Sequence, residues 1–545
     1  MKKLLILLTV ILALAVVFTS CGGNNKGGNT NYGESGEVVY SDGLVFTSNG
    51  DGTCYVSGIG TCTDTRLVIP TTSPKGERVT GIGNWALDNC DIFVSVKIPG
   101  SVTNIGENAF YHSKNLTSVE IPEGVTSIGD GAFSYCDELK SVVIPKSVVS
   151  IGNSAFSSCD KLQSVEIQDG VGRIGKAAFH FCSSLTSVTI PNSVTSIGDG
   201  AFSDCNVLAS INVDSGNEYY QSIDGNLYSK DGKILLQYAI GKTATRFTIP
   251  DGVTDIGKSA FYNSENLSNV EIPEGVTSIG DSAFSSCYFF SYIAIPSSVT
   301  SIGNCVFSYC ISMKNISVDS ENQYYQSIDG NLYTKDGKIL IQYAVDKSDT
   351  EFIIPDGVTS ICANAFAWCD KLSSVKIPDS MTAIGDGAFN QCSTLVSIEI
   401  PNSVTSIGKG AFDGCSSLAS VTIPDSVTSI GEFAFDGCSS LTSVTIPGSV
   451  ISIDWWAFYD CSSLASLVIE YGLTSIGDDA FALCDSLTSV TIPDSVTSIG
   501  ESSFLLCDSL TDVYYTGSEE EWAEISIGSG NEKLTGATIH YNYEG

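Results

Sequence analysis

A parallel-stranded repeat solenoid is the fold class this sequence predicts, and three observations predict it. A stretch typified by IPDSVTSIGEFAFDGCSSLTSVTI (423–446) recurs with small edits from about residue 81 to residue 513. Strand-ending isoleucines fall at Ile98, Ile121, Ile144, Ile167 and Ile190, at Ile249, Ile272 and Ile295, and from Ile354 to Ile492, always 23 residues apart within a group. Ala-Phe pairs mark sixteen units, from Ala86-Leu87 to Ser503-Phe504. A fixed period of roughly 20–29 residues is the mark of a leucine-rich-repeat solenoid. The expected class is therefore an α/β-type repeat solenoid. It is built mostly of short parallel strands closed by 3₁₀ or short helical turns.

One unit shows why. Val444 and Ile446 are two apart and share one face of a short strand, with Thr445 pointing out. Pro447 ends the strand because it has no N–H for a ladder bond. Val427 and Ile430 turn inward again, and Gly431 is expected to permit the bend. Ala434, Phe435, Cys438 and Leu441 complete the inward set. A single unit cannot bury these side chains alone. Stacked units bury them together, with parallel strands at about 4.8 Å per rung.

The chain opens with an export signal over residues 1–20: Lys2 and Lys3, then the apolar run Leu4 to Phe18. That run is too short to favour a spanning helix. Residues 21–37 are rich in Gly and Asn and read as a flexible tether. Residues 38–80 alternate apolar and polar around Asp51-Gly52 and read as an N-terminal β cap. The solenoid occupies 81–513. Two near-copies, YYQSIDGNLYSKDGKILLQYAIGK (219–242) and YYQSIDGNLYTKDGKILIQYAVDK (324–347), interrupt it. These inserts, near 214–242 and 319–347, are expected to be protruding β-hairpins turning at Asp231-Gly232 and Asp336-Gly337. Residues 514–545 read as a C-terminal cap, with a short helix over 518–525 packing Trp522 on the last rung.

Fourteen of the 19 cysteines share one register, four residues after the turn alanine, as Cys438 does. Ser113 and Ser264 take that place in the other two units. The position reads as one for a small buried side chain, with reduced thiols. A bridge between Cys54 and Cys62 is left open.

The net charge of −35 argues against a nucleic acid partner. The acidity reads first as solubility, with a basic partner or Ca²⁺ as the alternative. Catalysis finds little support. The three histidines, His112, His180 and His540, are far apart, and no triad or metal motif stands out, so neither an enzyme nor a cofactor is expected. Gly252 to Ser259 spells the phosphate-loop pattern G-x-x-x-x-G-K-S, but the repeat itself supplies the two glycines and no long helix is expected to follow.

The outward strand position is mixed and forms no stripe of charge or aromatics. Local exceptions are the candidate partner contacts: Tyr288, Phe289, Phe290 and Tyr292; Trp455 and Trp456; and the insert residues Tyr219, Tyr220, Tyr324 and Tyr325. For each, burial against a neighbouring rung is the competing reading.

Two resemblances extend this. Phe18-Thr19-Ser20-Cys21 resembles the lipobox of bacterial lipoproteins, with Phe where Leu is usual. The resemblance implies a lipid anchor on Cys21. The pattern I-P-x-x-V-x-x-I-G-x-x-A-F-x-x-C-x-x-L over residues 81–513 resembles the BspA-like leucine-rich repeat family of bacterial surface proteins. That implies macromolecular binding or adhesion, to a host matrix protein, a glycan or a neighbouring cell. The expected setting is the cell envelope, exposed at the outer membrane or cell surface, and the expected state is a monomer. The alternative is a non-adhesive envelope scaffold or a periplasm-facing interaction module.

Overall fold

The computed structural model describes residues 39–544. They form two compact units, residues 39–232 with 236–242, and residues 233–235 with 243–544. Each unit is a β-solenoid with its own apolar core.

Each regular turn of the chain contributes two strands. In the second unit Ser443–Ile446 pairs in parallel with Ser466–Ile469, residue for residue at a spacing of 23. In the first, Ser141–Ile144 pairs likewise with Ser164–Ile167. These are the expected strands. A second parallel ladder is built from two-residue strands such as Ser452–Ile453 and Ser475–Ile476. All eight inward residues of the typical unit are buried: Val427, Ile430, Ala434, Phe435, Cys438, Leu441, Val444 and Ile446.

The Ala-Phe turn supplies a third ladder. Ala434, Asp436 and Cys438 make the expected i→i−3 bonds, 3.1–3.2 Å long. Between them, the N–H groups of Phe433, Phe435 and Gly437 donate forward to the carbonyls of Trp455, Ala457 and Tyr459 at 2.8–3.1 Å. This alternation requires left-handed backbone at Phe433 (φ +57°) and Gly437 (φ +65°). The bend is therefore made at these two residues and not at Gly431. Gly431 has another reason to be glycine: a Cβ there would lie 2.7 Å from the Lys409 nitrogen of the preceding rung.

Stacking in register also aligns the phenylalanines. Phe366, Phe389, Phe412, Phe435, Phe458, Phe481 and Phe504 form one column with ring centroids 4.8–5.5 Å apart and nearly parallel planes. Phe110 to Phe202 form another in the first unit. Offset stacking adds to the burial of each ring. Replacing Phe435 by leucine keeps most of the volume and loses two ring contacts, so a cost of about 1 kcal/mol is expected in urea denaturation. A cost near zero would mean the column contributes no more than any apolar contact.

The cysteine register has a specific cause. Cys438 Sγ donates to the carbonyl of Phe412 in the preceding rung at 3.3 Å, and the same bond recurs at Cys159, Cys287 and Cys415. Ser113 Oγ makes the equivalent bond to the Leu87 carbonyl at 3.1 Å. The position thus takes a small side chain, which donates in the units named here, while Ser264 Oγ is buried there without a hydrogen-bond partner. All the described cysteines are free thiols.

The inserts differ from expectation. Neither is a hairpin standing off the solenoid. In the second unit Tyr325–Ile328, Asn331–Thr334 and Ile339–Gln342 run antiparallel, and the third strand then pairs in parallel with Ser360–Ile361. The insert thereby becomes a rung. Tyr333 and Tyr343 are buried, and Tyr343 stacks on Phe366 at 4.9 Å, at the head of the aromatic column. The physical reason is the near-continuous apolar content of Ile339-Leu340-Ile341, which is better covered in the stack than in solvent.

At the start, Val45–Ser48 and Thr53–Gly58 form the antiparallel hairpin, and Arg66–Val68 and Arg78–Ile82 already belong to the two ladders. At the end, the helix Glu519–Glu524 has a capping box between Ser518 and Glu521, and Trp522 packs on Tyr515 at 5.1 Å. The strands Ser526–Ile527 and Thr538–His540 extend both ladders by one further rung.

Candidate binding surface

The candidate aromatics separate into exposed and structural groups. Trp455 is 60% exposed. Beside it, Trp456 sits in the left-handed position of the turn (φ +56°), with its indole edge-on to Phe433 at 4.8 Å and tilted against Tyr459 at 6.0 Å. Lys409 lies over the Phe433 ring at 5.3 Å and pairs with Glu432. Trp456 is thus held by its neighbours while Trp455 stands free on the same surface.

In the unit at 288–292, Phe289 is 63% exposed and Tyr288 is exposed beside it. Phe290 is not a surface residue: it is 0% exposed, occupies the leucine position of the repeat and packs on Phe284 at 5.4 Å. The run of aromatics hides this, because only the register of Cys287 fixes which residue turns inward. Tyr292 lies on the outward side of its strand, with its hydroxyl 2.8 Å from Ser317 Oγ.

The insert tyrosines divide in the same way in both copies. Tyr219 and Tyr324 are about half exposed, at 51% and 53%. Tyr220 and Tyr325 are half-buried and structural: their hydroxyls accept hydrogen bonds from the Ile197 and Ile302 N–H groups at 3.0 and 2.9 Å. In each corner a buried asparagine, Asn217 or Asn322, makes four bonds. In the second copy its Nδ2 donates to the Pro296 and Val299 carbonyls, and its Oδ1 accepts from the Tyr324 and Tyr325 N–H groups.

One aromatic group escaped the sequence reading. Trp85, Tyr111, His112 and Tyr135 contact one another in the first unit, with His112 stacked on Tyr135 at 4.5 Å and Trp85 edge-on to Tyr111 at 5.6 Å. Their spacing would have shown it: His112 and Tyr135 are 23 apart, both just before the cysteine position. This group lies on the turn ladder, as Trp455 and Trp456 do. Burial lowers the His112 pKa from its ordinary value, and nearby Lys114 adds to this.

The other histidines pair with carboxylates, His180 with Asp204 and His540 with Asp512, both at 2.7 Å. The phosphate-loop look-alike folds as part of the repeat: Asp255–Ile256 is a ladder strand, and turns follow Lys258 where such a loop needs a helix. Among the described residues no group of three or more His, Cys, Asp or Glu could hold a metal ion. No helix among them is long and apolar enough to cross a membrane. The lipidation candidate Cys21 lies outside the described residues.

These features define a class: a leucine-rich-repeat solenoid, of a kind that typically serves as a non-enzymatic binding scaffold. The family model described as the BspA type leucine rich repeat region (6 copies) matches residues 70–171, 103–231, 238–334, 342–454 and 406–526. The chain belongs to that family, whose members are typically cell-surface proteins.

Solved structures with a similar chain include a leucine-rich cell surface protein of Faecalibacterium prausnitzii. It is 29% identical, with 90% of this chain and 97% of that one covered and a TM-score of 0.38. A leucine-rich repeat protein of Eubacterium ventriosum is 27% identical, covering 69% and 93%, with a TM-score of 0.44. The pneumococcal vaccine antigen PcpA is 19% identical, covering 93% and 98%, with a TM-score of 0.41. Comparison with curated proteins finds no match. The family assignment rests on the repeat.

Proposed function

We propose that this protein is a lipid-anchored adhesin at the bacterial cell surface, bound to the membrane through Cys21 and contacting a protein or glycan of the host matrix or of a neighbouring cell. One observation carries the reading. At Trp455 and Trp456 the repeat elsewhere places Lys409 and Gly410, or Glu432 and Phe433. A 60% exposed indole is not needed to stack a rung, whereas tryptophan is the side chain that most often anchors an interface. The −35 charge favours a partner with basic character at its rim.

Protease shaving of intact cells, with an inner-membrane control protein, tests the placement. Cleavage of the repeat region while the control survives supports it. Protection until the envelope is opened sinks external adhesion and turns the search to envelope partners. On purified protein, Trp455→Glu with Trp456→Gly introduces residues the repeat already uses at those positions. The thermal midpoint should stay within about 2 °C while affinity for a matrix protein or glycan found by panel screening falls at least about tenfold. Unchanged affinity would remove this patch from the interface.

A further inference from the structure

One groove of the second unit sets two cations beside an exposed ring. Its volume is about 430 Å³, and Gln323, Tyr324, Lys335, Lys338, Thr359 and Ser360 stand in its lining. Backbone bonds fix these walls to one another. The Lys335 N–H donates to the Tyr324 carbonyl and the Thr359 N–H to the Lys338 carbonyl, both at 2.7 Å. Tyr324 is half exposed, and its own N–H is held by Asn322 at 2.8 Å. The acid in the lining, Asp336, is committed to the turn: its Oδ1 accepts from Thr334 Oγ1 at 2.7 Å and from the Lys338 N–H at 3.1 Å. Among the described residues neither Lys335 nor Lys338 forms an ion pair.

Sequence register adds an independent argument. The two inserts repeat at 105 residues. At that distance Tyr324, Lys335, Lys338 and Thr359 match Tyr219, Lys230, Lys233 and Thr254, whereas Gln323 and Ser360 stand where the first copy has Glu218 and Asp255. The second copy keeps the ring and both cations and loses two carboxylates, each replaced by a neutral group that still hydrogen-bonds. Glu321, which stands where the first copy has Gly216, is outside the lining. Folding does not require the change, because both inserts make the same strand pairing and the same tyrosine hydroxyl bond.

We propose that this groove binds the carboxylate of an acidic sugar, within a glycan that carries hexuronate or sialate residues. The Lys335 and Lys338 ammonium groups take the carboxylate through charge-assisted hydrogen bonds, which are about twice as strong as neutral ones. The Tyr324 ring covers the apolar C–H face of the sugar. Gln323, Thr359 and Ser360 exchange hydrogen bonds with its hydroxyls, which favours a sugar over an acidic peptide that brings none. The volume lies within the roughly 300–1,000 Å³ usual for ligand sites. This site is separate from the Trp455 surface and does not depend on the lipid anchor.

The purified full-length protein is titrated calorimetrically with trigalacturonate, with sialyllactose, with the methyl ester of each, and with hexaglutamate. The expected result is a Kd below about 5 mM for at least one acidic sugar, which also names the source of the carboxylate. Its ester and hexaglutamate should bind at least about tenfold more weakly. No binding of either acidic sugar, an ester that binds as well as its acid, or hexaglutamate binding as tightly would each overturn the proposal. Gln323→Glu with Ser360→Asp restores the first-copy residues, so the thermal midpoint should stay within about 2 °C while affinity falls at least about tenfold. Lys338→Gln should weaken binding in the same direction without adding a charge. Unchanged affinity in either variant would overturn the proposal.

Discussion

Raised above about pH 9 in the presence of reductant, the protein is expected to unfold cooperatively, well before its backbone bonding would require it. The cause is the cysteine ladder. Burial pushes the thiols of Cys136, Cys159, Cys182, Cys310, Cys392, Cys438 and Cys484, among others, above the ordinary value of 9.0. Cys287 and Cys507 are pushed up to about 12. Below pH 9 the thiols are protonated in both states, and the full stability is present. Above it the unfolded chain releases protons that the folded chain keeps, so stability falls until the folded values are passed. Each buried thiol contributes a slope of about 1.4 kcal/mol per pH unit. Several acting together exceed the usual net stability of a domain within about one pH unit.

Far-UV circular dichroism against pH reads the transition. Serine cannot ionise in this range and already holds the same bond at Ser113. Replacing Cys392, Cys415 and Cys438 by serine should therefore shift the alkaline midpoint upward and shallow its slope. An unchanged midpoint would show that the thiols do not govern it.

Replacing Asn322 by alanine is expected to cost about 3 kcal/mol, the largest single-site loss outside the apolar core. Its side chain is 0% exposed and bonds two carbonyls and two N–H groups at 2.8–2.9 Å. Truncation leaves four backbone groups to be rehydrated in a confined corner, and each unsatisfied buried group costs roughly 1–3 kcal/mol. The loss should concentrate where the insert enters the stack. Tyr325 would lose its anchor, and with it the hydroxyl that accepts from Ile302. Urea denaturation gives the total, and hydrogen exchange at the Ile302 amide gives the location. Asn322→Asp keeps the acceptor but sets a buried carboxylate oxygen against the Pro296 and Val299 carbonyls, so at neutral pH it should cost at least as much as alanine. A loss below about 1 kcal/mol for alanine would mean that water replaces the amide.

Much of the repeat was legible because burial is periodic. Val444, Ile446 and Leu441 are inward by spacing alone, and a 23-residue period allows one stacking. The surface candidates were legible only in part. Trp455 and Phe289 are exposed, but Phe290 points inward and Tyr325 caps an interrupted ladder. A list of aromatic residues does not say which face each one takes.

By itself the sequence determined the period, the inward set, the cysteine register and the family, because each follows from side-chain pattern along one unit. Only the tertiary structure decided what each unit does to the next. The forward bonds of the Ala-Phe turn, the phenylalanine column and the thiol-to-carbonyl bonds all join residues about 22 to 26 positions apart. The recruitment of each insert as a rung rather than a projection likewise depends on a neighbouring coil. The physical reason is that a donor, a ring face or a small void acquires a meaning only when a second coil of backbone lies against it.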